Sequence, residues 1–263
     1  MPRANRHYIP GCVWHITHRC HKREFLLKFD KDKKRWRHWL YQARKRYGLC
    51  VLNYTVTSNH IHLLVVDTGE EIISKSLQLI AGRTAQEFNA RKKRKGAFWE
   101  DRYHATAVQI EGHLAKCLVY IDLNMVRAGM VQHPSEYCVA GYNEIQHPPK
   151  RYSIIDRISL RKLCAVKDEN CLRKEHGEWV ETELKNKACR RNPLWSEAVA
   201  VGSERYIQDI HKRLGGRGVG RSMVSDNKDT IALKEPRPPY STLFIGKKGL
   251  LSQDNAFFIS NIS

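Results

Sequence analysis

An α+β sandwich of the ferredoxin-like or RRM-like kind, an antiparallel sheet with helices, followed by a small helical C-terminal region, is the fold class this sequence predicts. Four short segments, residues 12–17, 51–57, 59–66 and 98–110, are apolar or alternate in the manner of strands. Residues 30–47, 70–89 and 111–130 repeat apolar positions at three- and four-residue spacing, as amphipathic helices do. The resulting order of strand, helix, strand, strand, helix, strand, helix is a ferredoxin-like unit with one extra helix.

The first strand, Cys12-Val13-Trp14-His15-Ile16-Thr17, places Val13, His15 and Thr17 on one face and Trp14 and Ile16 on the other. In the first helix Trp36, Trp39, Leu40 and Ala43 form the buried stripe, Asp30 or Asp32 is positioned to cap, and Gly48 to terminate. Its other face carries Lys33, Lys34, Arg37, Arg44 and Lys45, a cationic surface suited to a DNA backbone; a solvated helix face is the competing reading. Ser58-Asn59 is short and polar enough to turn the second strand into the third. The second helix presents Ile73, Leu77, Ile80, Thr84 and Phe88 to the sheet and runs into Arg91-Lys92-Lys93-Arg94-Lys95, which suits phosphates or a flexible loop. After the fourth strand, the third helix directs Leu114, Leu118, Ile121 and Met125 inward, and Pro134 marks the end of the unit.

The chain of 263 residues is 41% hydrophobic, enough for one core and a smaller unit, and carries a formal charge of +19. That charge predicts a polyanionic partner, nucleic acid being the usual one. Residues 1–133 hold 24 Lys+Arg and 11 Asp+Glu, so +13 of the charge falls in the first half, beside the histidine strand. The eight cysteines form no C-x-x-C pair and several sit in apolar segments as small hydrophobes, which fits a reducing, cytoplasmic setting; Cys164, Cys171, His176 and Cys189 match no standard zinc spacing. Neither a signal-peptide core nor an apolar run of membrane length is present, so no membrane partner is expected.

Chemistry concentrates at Asn59-His60-Ile61-His62-Leu63-Leu64. Strand alternation sends His60 and His62 to one face, where two imidazoles can share a cation, although half-buried strand histidines are the plainer reading. On the third helix Tyr120 and Asn124 are four residues apart and stack on one face, with Arg127 a further turn along. If that helix packs beside the hairpin, Asn124 completes a His60, His62, Asn124 set of nitrogen and oxygen ligands, which suits Mg²⁺ or Mn²⁺ handling phosphates. Tyr120 would then face a polarised phosphodiester; an amphipathic helix residue with a surface hydroxyl is the alternative.

At these residues the sequence resembles a known family. Asn59-His60-Ile61-His62-Leu63-Leu64 looks like the HUH motif, and Tyr120-Ile121-Asp122-Leu123-Asn124-Met125-Val126-Arg127-Ala128-Gly129 looks like the Tyr-Ile-x-x-Asn-Pro-Val-Arg-Ala-Gly signature of single-tyrosine HUH transposases, REP-associated tyrosine transposases in particular. The resemblance spans roughly residues 7–133 and includes Trp14-His15-Ile16-Thr17 and Phe98-Trp99. It implies that His60, His62 and Asn124 bind the divalent metal and that Tyr120 forms a 5′-phosphotyrosine with single-stranded or hairpin DNA, releasing a 3′-hydroxyl; the chain is expected as a monomer or homodimer. Met125 departs from the usual proline and puts the placement of Arg127 in question. A nickase of rolling-circle replication or mobilisation shares this chemistry. A catalytically silent nucleic-acid binder would need stacking aromatics where His60 and His62 stand.

The predicted organisation is a catalytic domain over residues 1–133, a linker over 134–155, a helical accessory region over 156–216 and a flexible tail over 217–263. Leu160, Leu163 and Val166, and later Trp195, Ala198, Val199, Tyr206 and Ile210, give the helical periodicity; the run 215–221 is expected to act as a hinge, and the tail from Ser222 to lack fixed structure in much of its length.

Overall fold

The computed structural model describes residues 9, 11–186, 192–215, 220–227 and 230–234. Its elements are β1 (Val13–Arg19), α1 (Asp30–Tyr47), β2 (Cys50–Val56), β3 (His60–Val66), α2 (Ile72–Arg91), β4 (His104–Val108), α3 (His113–Asp122), α4 (Asn124–Arg127), α5 (Tyr142–Gln146), α6 (Arg157–Leu163), α7 (Glu169–Lys185), α8 (Leu194–Glu197), β5 (Ala198–Gly202), α9 (Glu204–Leu214), β6 (Ser222–Asn227) and β7 (Thr230–Lys234). They build an α+β fold around one mixed sheet in the order β2-β3-β1-β4-β5-β7-β6. The first four strands are antiparallel and have the ferredoxin-like order, with β1 and β3 central, as the sequence predicts.

Alternation sorts the side chains into two layers. Tyr54 on β2 lies 6.5 Å from Trp36 of α1, and the fully buried Ile16, Ile61 and Leu63 share that layer. Its neighbours face the other way: Asn53 Nδ2 donates to Asp122 Oδ1 at 2.9 Å and Thr55 Oγ1 donates to the Ile121 carbonyl at 3.1 Å. Thus α1 and α2 cover one face while α3 lies on the other, the face to which His60 and His62 point.

Several elements depart from expectation. Asp30 and Asp32 stand in the first turn of α1 rather than capping it; Phe29 is the N-cap, and Asp32 is paired with Arg91. Gly48 does end α1, at φ 72°, where its N–H donates to the Arg44 carbonyl at 2.9 Å. The fourth strand begins only at His104, because Phe98 and Trp99 instead close over Cys20 through a single bridge. The long third helix is broken at Leu123 (φ −77°, ψ 4°), leaving Tyr120 on α3 and Asn124 on α4.

Residues 134–155, expected as a linker, lie along the free edge of β2, bridging Thr55 to Ala140 and Val51 to Ile155. Gly141 makes this possible: a Cβ there would stand 2.2 Å from Asn53 Oδ1, and its N–H donates to the Tyr54 carbonyl at 2.7 Å. Ala198 and Val199, expected in a helix, belong to β5, whose every residue is buried. An unbroken apolar run reads equally as buried helix or buried strand. The stretch from Ser222 also contains the β6/β7 hairpin, which pairs with β5 and extends the sheet; residues 235–263 of the expected tail lie outside the described residues. Gly215 closes α9 with φ 55°, and the rest of the expected hinge is described only at Gly220 and Arg221. No helix among the described residues is long and apolar enough to cross a membrane.

Candidate metal site and nucleophile helix

His60 opens β3 and His62 follows two residues on, so both rings emerge on the α3 face, with Nε2 atoms 3.1 Å apart. Asn124 brings its amide to 2.8 Å from His62 Nε2. The other ring nitrogens are engaged away from this point. His60 Nδ1 lies 2.7 Å from Asn59 Oδ1 and 2.9 Å from Thr57 Oγ1. Asn59 Oδ1 only accepts, and its amide nitrogen donates to the Arg23 carbonyl, so His60 carries its proton on Nδ1.

A longer relay fixes His62. The Trp195 carbonyl sits 2.6 Å from His15 Nδ1 and must accept from it. Burial drives the His15 imidazole down to about 3, against the raising effect of that same hydrogen bond, so its Nε2 is an unprotonated acceptor. His62 Nδ1, at 2.9 Å, donates to it. In the neutral tautomers that these partners favour, Nε2 of His62 and Nε2 of His60 are both left as acceptors. Two lone pairs aimed together beside a carboxamide that can turn its oxygen inward are a donor set fitted to a divalent cation. Among the described residues no group of three His, Cys, Asp or Glu side chains is placed to hold a metal; this set uses an amide as its third member.

Tyr120 borders the same space. Its ring is 5.9 Å from that of His62, 6.0 Å from His15 and 6.1 Å from Trp195. Arg127 lies over the Tyr120 ring at 4.2 Å and donates to the Tyr120 carbonyl. Met125, where the resembling signature has proline, lies in the first turn of α4, a position at which proline is tolerated in a helix. The site's neighbours His15 and Trp195 carried no local signal for this role: His15 is one histidine among thirteen, and Trp195 reaches it across 180 residues.

The predicted cationic residues go elsewhere. Those of α1 lie on the opposite face of the sheet. Lys33 is buried, over the Tyr137 ring at 5.3 Å, and is not outward-facing as expected. Arg37 is half-buried and donates to the Cys138 carbonyl at 3.3 Å, whereas Arg44 is half-buried and Lys45 exposed. Within the run 91–95, Arg91 pairs with Asp32, Lys92 lies over Phe29, and Arg94 donates to the Ala97 carbonyl at 2.9 Å; Lys93 and Lys95 are exposed. The run sits near the β2/β3 turn, since His21 bonds Phe98, and Cys20 bonds Asn59, through their backbones. His176 is no zinc ligand: its Nε2 donates to Asp122 Oδ2 at 2.8 Å and its Nδ1 accepts from Gln146; Cys189 lies outside the described residues.

Residues 8–124 match the family described as "Transposase IS200 like". No curated protein sequence matches the chain. Among solved structures, a REP-associated tyrosine transposase bound to a REP hairpin is similar at 20% identity and TM-score 0.47, over 59% of this chain and 90% of that one. A protein of Deinococcus radiodurans R1 proposed to be a transposase is similar at 19% identity and TM-score 0.33, over 46% and 95%.

Proposed function

We propose that this chain, whose residues 8–124 match the family of IS200-like transposases, is a metal-dependent single-stranded DNA endonuclease and strand transferase whose nucleophile is Tyr120. The observation that carries this reading is the convergence of His60 Nε2, His62 Nε2 and the Asn124 amide beside the Tyr120 ring. His60, His62 and Asn124 are the residues that would hold Mg²⁺ or Mn²⁺. Bound there, the cation supplies positive charge to the phosphate oxygens and offsets the charge that builds during phosphoryl transfer.

In the proposed step the Tyr120 phenol oxygen bonds to phosphorus, the bond from phosphorus to the 3′-oxygen breaks, and the 3′-hydroxyl leaves with a proton. A 5′-phosphotyrosine remains, whose ester energy is retained for attack by a second 3′-hydroxyl. Arg127 holds the ring in place and Trp195 packs against it. The sequence resemblance supports single-stranded or hairpin-forming DNA as the substrate class, and the strongly basic charge supports a polyanionic partner.

A 3′-labelled single strand incubated with Mn²⁺ tests this. Label should become protein-bound at Tyr120, and Tyr120→Phe should bind DNA without forming the adduct. Cleavage persisting in Tyr120→Phe, or an adduct mapped to Tyr103 or Tyr137, would overturn the assignment.

A further inference from the structure

On the face of the sheet opposite Tyr120, a groove of about 530 Å³ opens between α1 and residues 138–154, with Tyr54 among the residues lining it. Lys34, Arg37, His38, His147 and Arg151 line it, together with Tyr41 and Tyr152. Glu144 is its sole acidic lining residue, and that carboxylate is committed: Oε1 accepts from Ser153 Oγ at 2.8 Å and from the backbone N–H of Ile154 and Ile155 at 2.5 and 2.7 Å. These bonds anchor the loop that carries Arg151 and Tyr152.

Tyr152 is the unusual residue. It is held at φ 60°, a left-handed conformation costly for a bulky side chain, yet its ring is 74% exposed and stands edge-on to Tyr41 at 5.6 Å. Core packing does not explain a strained, exposed aromatic at the rim of a cationic groove. Aromatic faces stack bases and neighbouring cations hold phosphates in sites that bind single strands. A concave site of this size admits an unstacked nucleotide.

We propose that this groove binds a nucleotide of single-stranded DNA distant in sequence from the cleaved phosphate, the phosphate held by Lys34, Arg37 and Arg151 and the base laid against Tyr152 and Tyr41. The choice of DNA rests on the reading of the chain as a single-strand endonuclease. The groove lies at the level of the candidate metal site: Tyr54 adjoins Thr55, which pairs with His62 in the sheet register. The two sites are thus back to back across one layer of β-strand, and a strand engaged at both would be gripped on either side of the sheet edge.

Cys138 makes the test direct, because its thiol is exposed and lines the groove. Full-length protein is treated with N-ethylmaleimide, alone and with a long oligothymidylate, and alkylation of Cys138 is read by peptide mass. The DNA should protect Cys138 at least several-fold. Tyr152→Ser should weaken binding of the long strand about tenfold, the scale of one lost stacking contact. Lys34→Ala with Arg151→Ala should flatten the salt dependence of binding by about 0.7 per lost contact. Adduct formation at Tyr120 on a strand too short to reach the groove should be unchanged in both variants.

Unprotected Cys138, or unchanged affinity in the variants, overturns the proposal. Equal protection by thymidine monophosphate would reassign the groove to free nucleotides, and tighter binding of oligouridylate would reassign it to RNA; either result overturns it as stated. The catalytic reading fails separately: if DNA protects Cys138 but no adduct forms at Tyr120, the groove stands and the endonuclease does not.

Discussion

His62 takes its tautomer from a carbonyl that it never touches. The Trp195 oxygen dictates the proton on His15, His15 dictates the proton on His62, and His62 is left with its lone pair toward Asn124 and His60. Replacing His15 by Phe keeps an aromatic of similar shape but removes the acceptor for His62 Nδ1. Mn²⁺ affinity, measured by calorimetry, should fall by about 10- to 100-fold, the usual loss when an outer partner of a ligating imidazole is deleted. His15→Gln, whose amide oxygen can accept, should recover part of it, and ¹⁵N spectra of the metal-free protein should show the mixed His62 tautomers in His15→Phe alone. Unchanged affinity in His15→Phe would remove His15 from the site. The facing of His60 and His62 was legible from strand alternation alone. His15 was grouped only with Val13 and Thr17 on one side of the first strand, and its partnership was not legible, because register across 47 residues and a carbonyl at 180 are properties of the folded chain.

At the scale of elements, the Tyr120 helix is held by a buried polar cluster. Asp122 accepts from Asn53 on the sheet and from His176 on α7, and both Asp122 and His176 are almost fully inaccessible. His176→Ala would strand the Asp122 carboxylate and should cost roughly 3–5 kcal/mol in urea unfolding; a loss under 1 kcal/mol would mean that the cluster does not fix α3. The helices α1 and α2 were legible from their apolar stripes, but the partners of their cations were not. Since Arg91 and Arg94 have intramolecular partners while Lys93 and Lys95 are exposed, the two pairs should behave differently. Lys93→Gln with Lys95→Gln should reduce the salt slope of DNA binding by about 1 to 2 with stability unchanged, whereas Arg91→Gln should lower stability because Asp32 is buried. Equal salt slopes in the lysine double variant and the parent would assign those lysines to solvent.

Across the whole molecule, the ferredoxin-like half was readable because each strand has a neighbour close in sequence, and short-range alternation reports such pairing. The remainder of the sheet was not. β5 joins β4 in parallel after about ninety intervening residues, and its wholly apolar Ala-Val-Ala-Val run lacks the polar alternation that would mark it as a strand. A chain ending after residue 186 lacks both the Trp195 carbonyl and the strand that covers β4. It should bind Mn²⁺ at least tenfold more weakly than the full chain and expose a sheet edge, detectable as dye binding or self-association. A truncated chain that stays monomeric and binds metal normally would show that the C-terminal strands are dispensable to the site.

The distance between Asn124 and Trp195 also sets a clock. At about 5–20 residues per second, a ribosome needs roughly 4–14 s to add the 71 residues that separate them. Throughout that interval the nascent chain already contains His60, His62, Tyr120 and Asn124 but lacks the carbonyl that orders His62 through His15. Translation therefore places the candidate ligands in the chain seconds before the group that orders His62, and a message cut short between them yields a product expected to bind Mn²⁺ more weakly than the longer chain.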